Sequence, residues 1–353
     1  MAENMDVGTS RGQAGITPAP RQTRGWMWSS LTGIVILGLI AAVVPTIGDA
    51  NELNIWTQVL MFCVLAQSWN FIGGFTGYAA FGNVAFFGIG AYSVGICLTN
   101  GQPFWLGLIV GAAAAATFAL LLGLPVLRLR GHYFAIATLG VAEALREFAA
   151  AQNVGGPGGT MALPLPDLGP MSFFFAFVGL SLACLLLTAW LSRSKFGYAL
   201  VAIREGEAAA EALGIETYRF KVAAFVLSAI PTALAGGLYA YQRTGFDPST
   251  VLSVGFSVET VLLAFLGGAG TVLGPLVGGI LFEYGSFRLL TTNFTYHNSL
   301  LGLAIIVVTI FLPRGLLGLA GEFTRGPATG TPARNRLRMG VRHVRRYIAA
   351  NGV

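Results

Sequence analysis

At 353 residues, 55% hydrophobic and 10% charged, the chain carries too much apolar surface for one water-facing core. A soluble domain of this size holds about a quarter charged residues, so lipid must be the solvent here. The net charge of +6 raises nucleic acid as a partner, but the basic residues collect in turns and in the C-terminal tail, which argues for a membrane orientation signal instead.

Residues 1–25 read as a disordered tail on the cytoplasmic side. The first apolar run, 26–44, follows Arg21 and Arg24 and precedes Pro45. It is too long for a signal-peptide core and its leader is too long for a basic n-region, so it reads as a retained helix. A helix of about 20 residues spans about 30 Å. On that ruler, spans fall near 26–47, 55–72, 76–98, 104–127, 133–151, 171–191, 222–242, 256–267, 271–290 and 298–313. The fold class is therefore an all-α integral membrane protein of about ten transmembrane helices, some short or discontinuous, with both termini cytoplasmic. The transmembrane domain covers 26–313 and holds a hydrophilic connector at 192–221. Residues 314–353 form a basic cytoplasmic tail, either solvated or lying on anionic lipid.

The orientation rests on Lys and Arg. With the N-terminus inside, 18 of the 21 basic residues face inward; Arg146, Arg243 and Arg288 remain. Asp49, Glu52, Asp167 and Asp247 then fall in outer loops.

Glycine is abundant, 48 residues, as helix packing in lipid requires. Small-xxx-small spacing recurs at Gly73/Gly77, Gly107/Gly111 and Gly274/Gly278. Two glycine-dense turns, one holding Gly74 and Gly77 and the other Gly268 and Gly270, echo each other at inner turns. They read as close packing or as broken helices lining a path. Cys63, Cys97 and Cys184 sit in apolar runs and read as small buried hydrophobes.

Charges inside the spans are costly unless paired or wet. Glu143, Arg146 and Glu147 lie in one span, and Glu143 and Arg146 share a helix face. Glu283 sits near the middle depth of another, with only Arg288 close in sequence. These groups read either as ion pairs that fix assembly or as a polar lining of a route; Glu143, Arg146 and Glu283 are the candidate path residues, with Gly74, Gly77, Gly268 and Gly270.

The connector reads as one helix over 204–214. Arg204, Glu207 and Glu211 fall at i, i+3 and i+7 on one face, and Gly214 ends it. Gly155-Gly156-Pro157-Gly158-Gly159 reads as a flexible outer connector. No G-x-x-x-x-G-K-[ST] run, G-x-S-x-G or paired His motif is present, with Lys195 and Lys221 the only lysines and His132, His297 and His343 the only histidines. Catalysis and nucleotide binding by this chain are not expected, and no metal site or cofactor is expected within it.

Several stretches resemble the permease subunits of branched-chain amino-acid ABC importers, the LivH/LivM kind and more the LivM-like half. They are GGFTGYAAFGNVAFFGIGAY at 73–92, GHYFAIATLGVAEALR at 131–146, GGPGGTMALP at 155–164, the connector and following span at 197–239, and FLGGAGTVLGPLVGGILF at 265–282. The resemblance implies that the connector docks on an ATPase subunit, through Arg204, Glu205, Glu207, Ala208, Ala209, Glu211 and Gly214. It implies a second, LivH-like permease subunit, two ABC ATPase subunits that bind the ATP, and an extracytoplasmic solute-binding protein, in a bacterial inner membrane. The cargo would be branched-chain or similar small amino acids or amides. The long Arg-rich tail and Glu283 depart from the pattern. A urea or short-amide importer, and an ion-coupled transporter using Glu143 or Glu283, are the alternatives.

Overall fold

The computed structural model describes residues 23–129, 131–290 and 315–316. Six helices come first or flank the centre: α1 (Thr23–Ile47), α2 (Ala50–Trp69), α3 (Asn83–Thr99), α4 (Phe104–Val126), α5 (His132–Ala151) and α6 (Pro170–Leu191). The connector folds as α7 (Lys195–Glu205) and α8 (Glu207–Ala212). There follow α9 (Thr217–Arg243), α10 (Pro248–Val251), α11 (Val254–Gly267), α12 (Gly274–Gly279) and α13 (Gly285–Leu290). Among the described residues, six helical segments are long and apolar enough to cross a membrane: those at 29–46, 50–74, 104–126, 170–191, 217–243 and 248–267. The tenth sequence-predicted span at 298–313, the N-terminal tail to residue 22 and the basic tail beyond 316 lie outside the described residues.

Three predicted spans differ in form. The span at 76–98 starts only at Asn83, because the chain leaves α2 through a wide π turn at Asn70–Gly74 and Gly77 takes a left-handed φ of +77°, which L side chains resist. The span at 271–290 is a chain of short pieces, α12, a second π turn at Ile280–Tyr284, and α13. The span at 222–242 begins earlier, at Thr217, since Lys221 finds partners inside the protein.

α3, α4 and α9 form the tightest group, and α2 packs between α6 and the α11–α12 pair. Close approach is written in glycine. A Cβ on Gly90 would stand 1.9 Å from the Ala233 carbonyl oxygen, and one on Gly236 would stand 2.0 Å from that of Phe87, so α3 and α9 touch backbone to backbone. The Gly107/Gly111 pair likewise lies against α3, at Val94 and Gly90. Between these helices Phe87 and Tyr239 meet the ring of Phe256 on α11. Cys63 and Cys184 are buried free thiols.

The segment 155–159 is held more firmly than a flexible connector. The Tyr92 hydroxyl donates to the Gly159 carbonyl at 2.7 Å, and the Asn153 side-chain oxygen accepts from the Gly158 amide at 2.7 Å. The chain then pairs β1 (Met161–Ala162) antiparallel with β2 (Gly245–Phe246), Met161 opposite Phe246. Glycine here serves turn geometry and close packing rather than mobility.

Candidate functional site: an ion-paired node under two glycine turns

The connector is two helices rather than one. The Ser194 hydroxyl caps α7, accepting from the Gly197 amide at 3.0 Å. Gly206 adopts an extended backbone, φ 172°, that no helix continues through, so Arg204 and Glu207 sit on different helices. α8 ends where Gly214 turns left-handed at φ +83°, and the Ile215 amide closes back on the Ala210 carbonyl at 3.1 Å, as a glycine terminator does.

Arg204 and Glu207 nonetheless both reach toward the body of the protein. Lys221, in the first turn of α9, has a side chain only 3% exposed. An ammonium has three protons to donate, and Lys221 finds three acceptors: Glu207 Oε1 at 2.6 Å, the Tyr78 hydroxyl at 3.1 Å and the Leu127 carbonyl at 3.3 Å. The Tyr78 hydroxyl donates in turn to Glu207 Oε2 at 2.6 Å, which closes a ring of three side chains. Lys221 Nζ also lies 4.6 Å from the centroid of the Tyr78 ring. Glu211 accepts from the Thr217 hydroxyl at 2.8 Å. A buried pair this fully hydrogen-bonded offsets the cost of desolvation, whereas half of it alone would not.

Glu207, assigned from sequence to the docking surface, turns its carboxylate inward onto Lys221 and Tyr78, with its side chain 16% exposed. Glu205, Ala208, Ala209, Glu211 and Leu213 remain exposed around it, Leu213 at 80%.

The same connector reaches the glycine turns. Arg204 Nη1 donates to the Gly74 carbonyl at 2.9 Å. A Cβ on Gly77 would meet Arg204 Cγ at 3.0 Å, and one on Gly270 would meet Arg204 Nη1 at 2.4 Å. Asn70, in the π turn, clips the two turns together: its amide donates to the Thr271 carbonyl at 3.0 Å and its oxygen accepts from the Gly270 amide at 2.7 Å. A cavity of ≈ 280 Å³ lies here, lined by Trp69, Gly74, Gly77 and Arg204 among others. Gly74, Gly77, Gly270 and Arg204, assigned from sequence to two separate sites, thus form one. Gly268 closes α11 at φ +121° and accepts from the Thr271 hydroxyl at 2.7 Å.

The charged path candidates do not converge on this site. Glu143, Arg146 and Glu147 form an intrahelical cluster on α5, with side chains 45%, 32% and 67% exposed. Glu283 lies in the second π turn at 3% exposure, beside Glu259 of α11. Sequence reasoning missed Glu259, Tyr78 and Asn70. Asn70 had a visible signal, an amide side chain placed directly before a glycine run inside an apolar span.

Among the described residues no group of three His, Cys, Asp or Glu side chains is placed to hold a metal ion. Residues 51–312 match the family model described as "Branched-chain amino acid transport system / permease component". The chain is 31% identical over 338 residues to the high-affinity branched-chain amino acid transport system permease protein LivM of Escherichia coli (strain K12), covering 85% of this chain and 78% of that one. The Salmonella typhimurium protein of the same name is 31% identical over 319 residues, covering 80% and 74%. The autoinducer 2 import system permease protein LsrC of Klebsiella pneumoniae is 35% identical over 134 residues, covering 34% and 38%. No solved structure matches the chain. These relatives are permeases rather than enzymes, and with helices of membrane-crossing length, two interlocked glycine turns and a buried ion-paired node beneath them, this chain belongs to the permease component family of branched-chain amino acid transport systems.

Proposed function

We propose that the chain is a membrane-spanning permease subunit of an ATP-binding-cassette importer in a bacterial inner membrane. It carries branched-chain or similar small amino acids. It works with a second permease subunit, two ATPase subunits and an extracytoplasmic solute-binding protein. The observation that carries this reading is the build of the connector: an exposed tip on α8, anchored through the Glu207–Lys221–Tyr78 ring to α9 and α3's leading turn. A tip so anchored moves only with the helices behind it. An ATPase subunit gripping Glu205, Ala208, Ala209, Glu211, Leu213 and Gly214 displaces α7 and α8 together, and Arg204 carries that displacement to Gly74 and Gly270. The glycine turns alternate access as they move. Glu143 and Arg146 line the route on the face of α5 that this chain leaves uncovered, and Glu283, buried beside Glu259, is a further path residue.

Leu213→Asp tests the docking role without disturbing the fold, since Leu213 is 80% exposed. The variant is expected to insert and melt like the wild type. It should lose co-purification of the ATPase subunit, and ATP-driven uptake should fall about tenfold or more, as for a central interface residue. Normal capture and normal uptake would sink the docking role. Uptake driven by a pH gradient without ATP would move the reading to ion-coupled transport. The match to a permease named for autoinducer 2 import supports autoinducer 2 as a second cargo.

A further inference from the structure

The end of α9 opposite the node borders a second cavity, of ≈ 370 Å³. Lys221 and Arg243 are 22 residues apart on one helix, so node and cavity are separated by about 33 Å, roughly the hydrocarbon thickness. The cavity therefore opens on the membrane face away from the connector, where α2 begins. Its volume falls in the range of about 300–1,000 Å³ usual for small-molecule sites.

The wall chemistry is one-sided. Four carboxamides, Asn51, Asn54, Gln58 and Gln242, share the wall with Arg243 and the buried ring of Tyr239; among the described residues no carboxylate lines it. Arg243 cannot lose its charge. Its guanidinium reaches Gln58 Oε1 at 3.4 Å and stands 5.4 Å from the Tyr239 centroid. Among the described residues it has no carboxylate within ion-pair distance. The nearby Asp247 carboxylate accepts from the hydroxyls of Ser249 and Thr250, which hold its pKa below the ordinary range and aim it at its own turn. A fixed cation with no ion-paired carboxylate among the described residues, in a recess rich in amide donors and acceptors, selects an anionic group carried by a small polar molecule.

We infer that this cavity is an entry subsite for small zwitterionic carboxylates, with Arg243 holding the carboxylate and the carboxamides of Asn51, Asn54 and Gln242 holding the ammonium and orienting the solute. The inference rests on the transport reading above and adds to it a place on this chain, and a residue, for the carboxylate of the solute. Tyr239 gives the site an apolar floor, and α9 joins that floor directly to the node.

The test is equilibrium dialysis of radiolabelled L-leucine against the full chain in lipid nanodiscs, with and without anionic lipid. Saturable binding is expected in both lipids. Leucinamide, which lacks the carboxylate, should compete roughly tenfold or more worse than unlabelled leucine, and Arg243→Gln should weaken binding by a similar factor, the scale of one charge-assisted hydrogen bond. Arg243→Lys should keep part of the affinity, and Arg219→Gln, at a position 80% exposed on the connector side, should keep all of it. No saturable binding, equal competition by leucinamide, or wild-type affinity in Arg243→Gln each overturns the subsite. Loss of leucine binding in anionic lipid alone assigns Arg243 to a lipid phosphate and overturns it as well. None of these outcomes touches the Leu213 experiment, so the subsite and the transport reading fail separately.

Discussion

Lys221 shows how a charge is kept at the edge of an apolar helix bundle. Its three protons meet three acceptors, one of them anionic, and the neighbouring tyrosine ring covers a further side of the ammonium. Removing one member leaves its partner charged and buried. Lys221→Met is therefore expected to destabilise the protein by about 3–5 kcal/mol, read as a lowered melting temperature of the purified chain. The double variant Lys221→Met/Glu207→Gln should recover a large part of that loss, because both charges leave together. A single variant that melts like the wild type would show that the ring contributes nothing to stability. Glu207 thus belongs to the interior. A charge reversal there tests folding, whereas the exposed Leu213 tests the partner.

At the level of helices, two mid-helix glycines mean different things. Gly236 faces the Phe87 carbonyl across the α3–α9 contact with no room for a methyl group. Gly140, on the uncovered side of α5, has nothing within 4 Å of a built Cβ. Gly236→Val is expected to prevent close packing of α3 on α9, with loss of folded protein in detergent extraction. Gly140→Ala should leave the fold intact and favour α5 by about 1 kcal/mol, the helix-propensity difference. Comparable yields for the two variants would contradict the backbone contact. The two π turns follow the same logic of local exception. Each widens a helix where a polar side chain, Asn70 or Glu283, turns inward, in keeping with the placement of such turns at functional positions.

For the whole molecule, the uncovered surfaces divide by chemistry. α4 shows Trp105, Ile109 and Leu121 outward, an apolar face suited to lipid. α5 shows Tyr133 and Ile136 but also Glu143, Arg146 and Glu147, and such a cluster facing hydrocarbon would be costly. That face meets water or protein. On a Cys97→Ser background, Glu143→Cys is expected to react with a membrane-impermeant maleimide in native membranes, and Ile109→Cys to stay unlabelled. Equal protection of both positions would place α5 against lipid and remove Glu143 and Arg146 from the route.

Much of this was legible along the chain. Hydrophobic length marked the helices at 104–126 and 170–191 nearly to the residue, because lipid thickness sets span length regardless of neighbours. Gly214 as a helix end followed from local backbone freedom alone. Composition also located the hydrophilic connector, since a charged stretch inside an apolar chain has few places to go. Partnership was decided elsewhere. Tyr78 and Glu207 are 129 residues apart, and Asn70 and Gly270 are 200 apart; no local rule links them. The break at Gly206, the inward turn of Glu207 and the placing of Glu283 beside Glu259 arise only when helices pack, because a polar group in lipid must find its hydrogen bonds inside the protein. Periodicity specifies which face of a helix is apolar, and only the packed bundle specifies what each polar side chain on it touches.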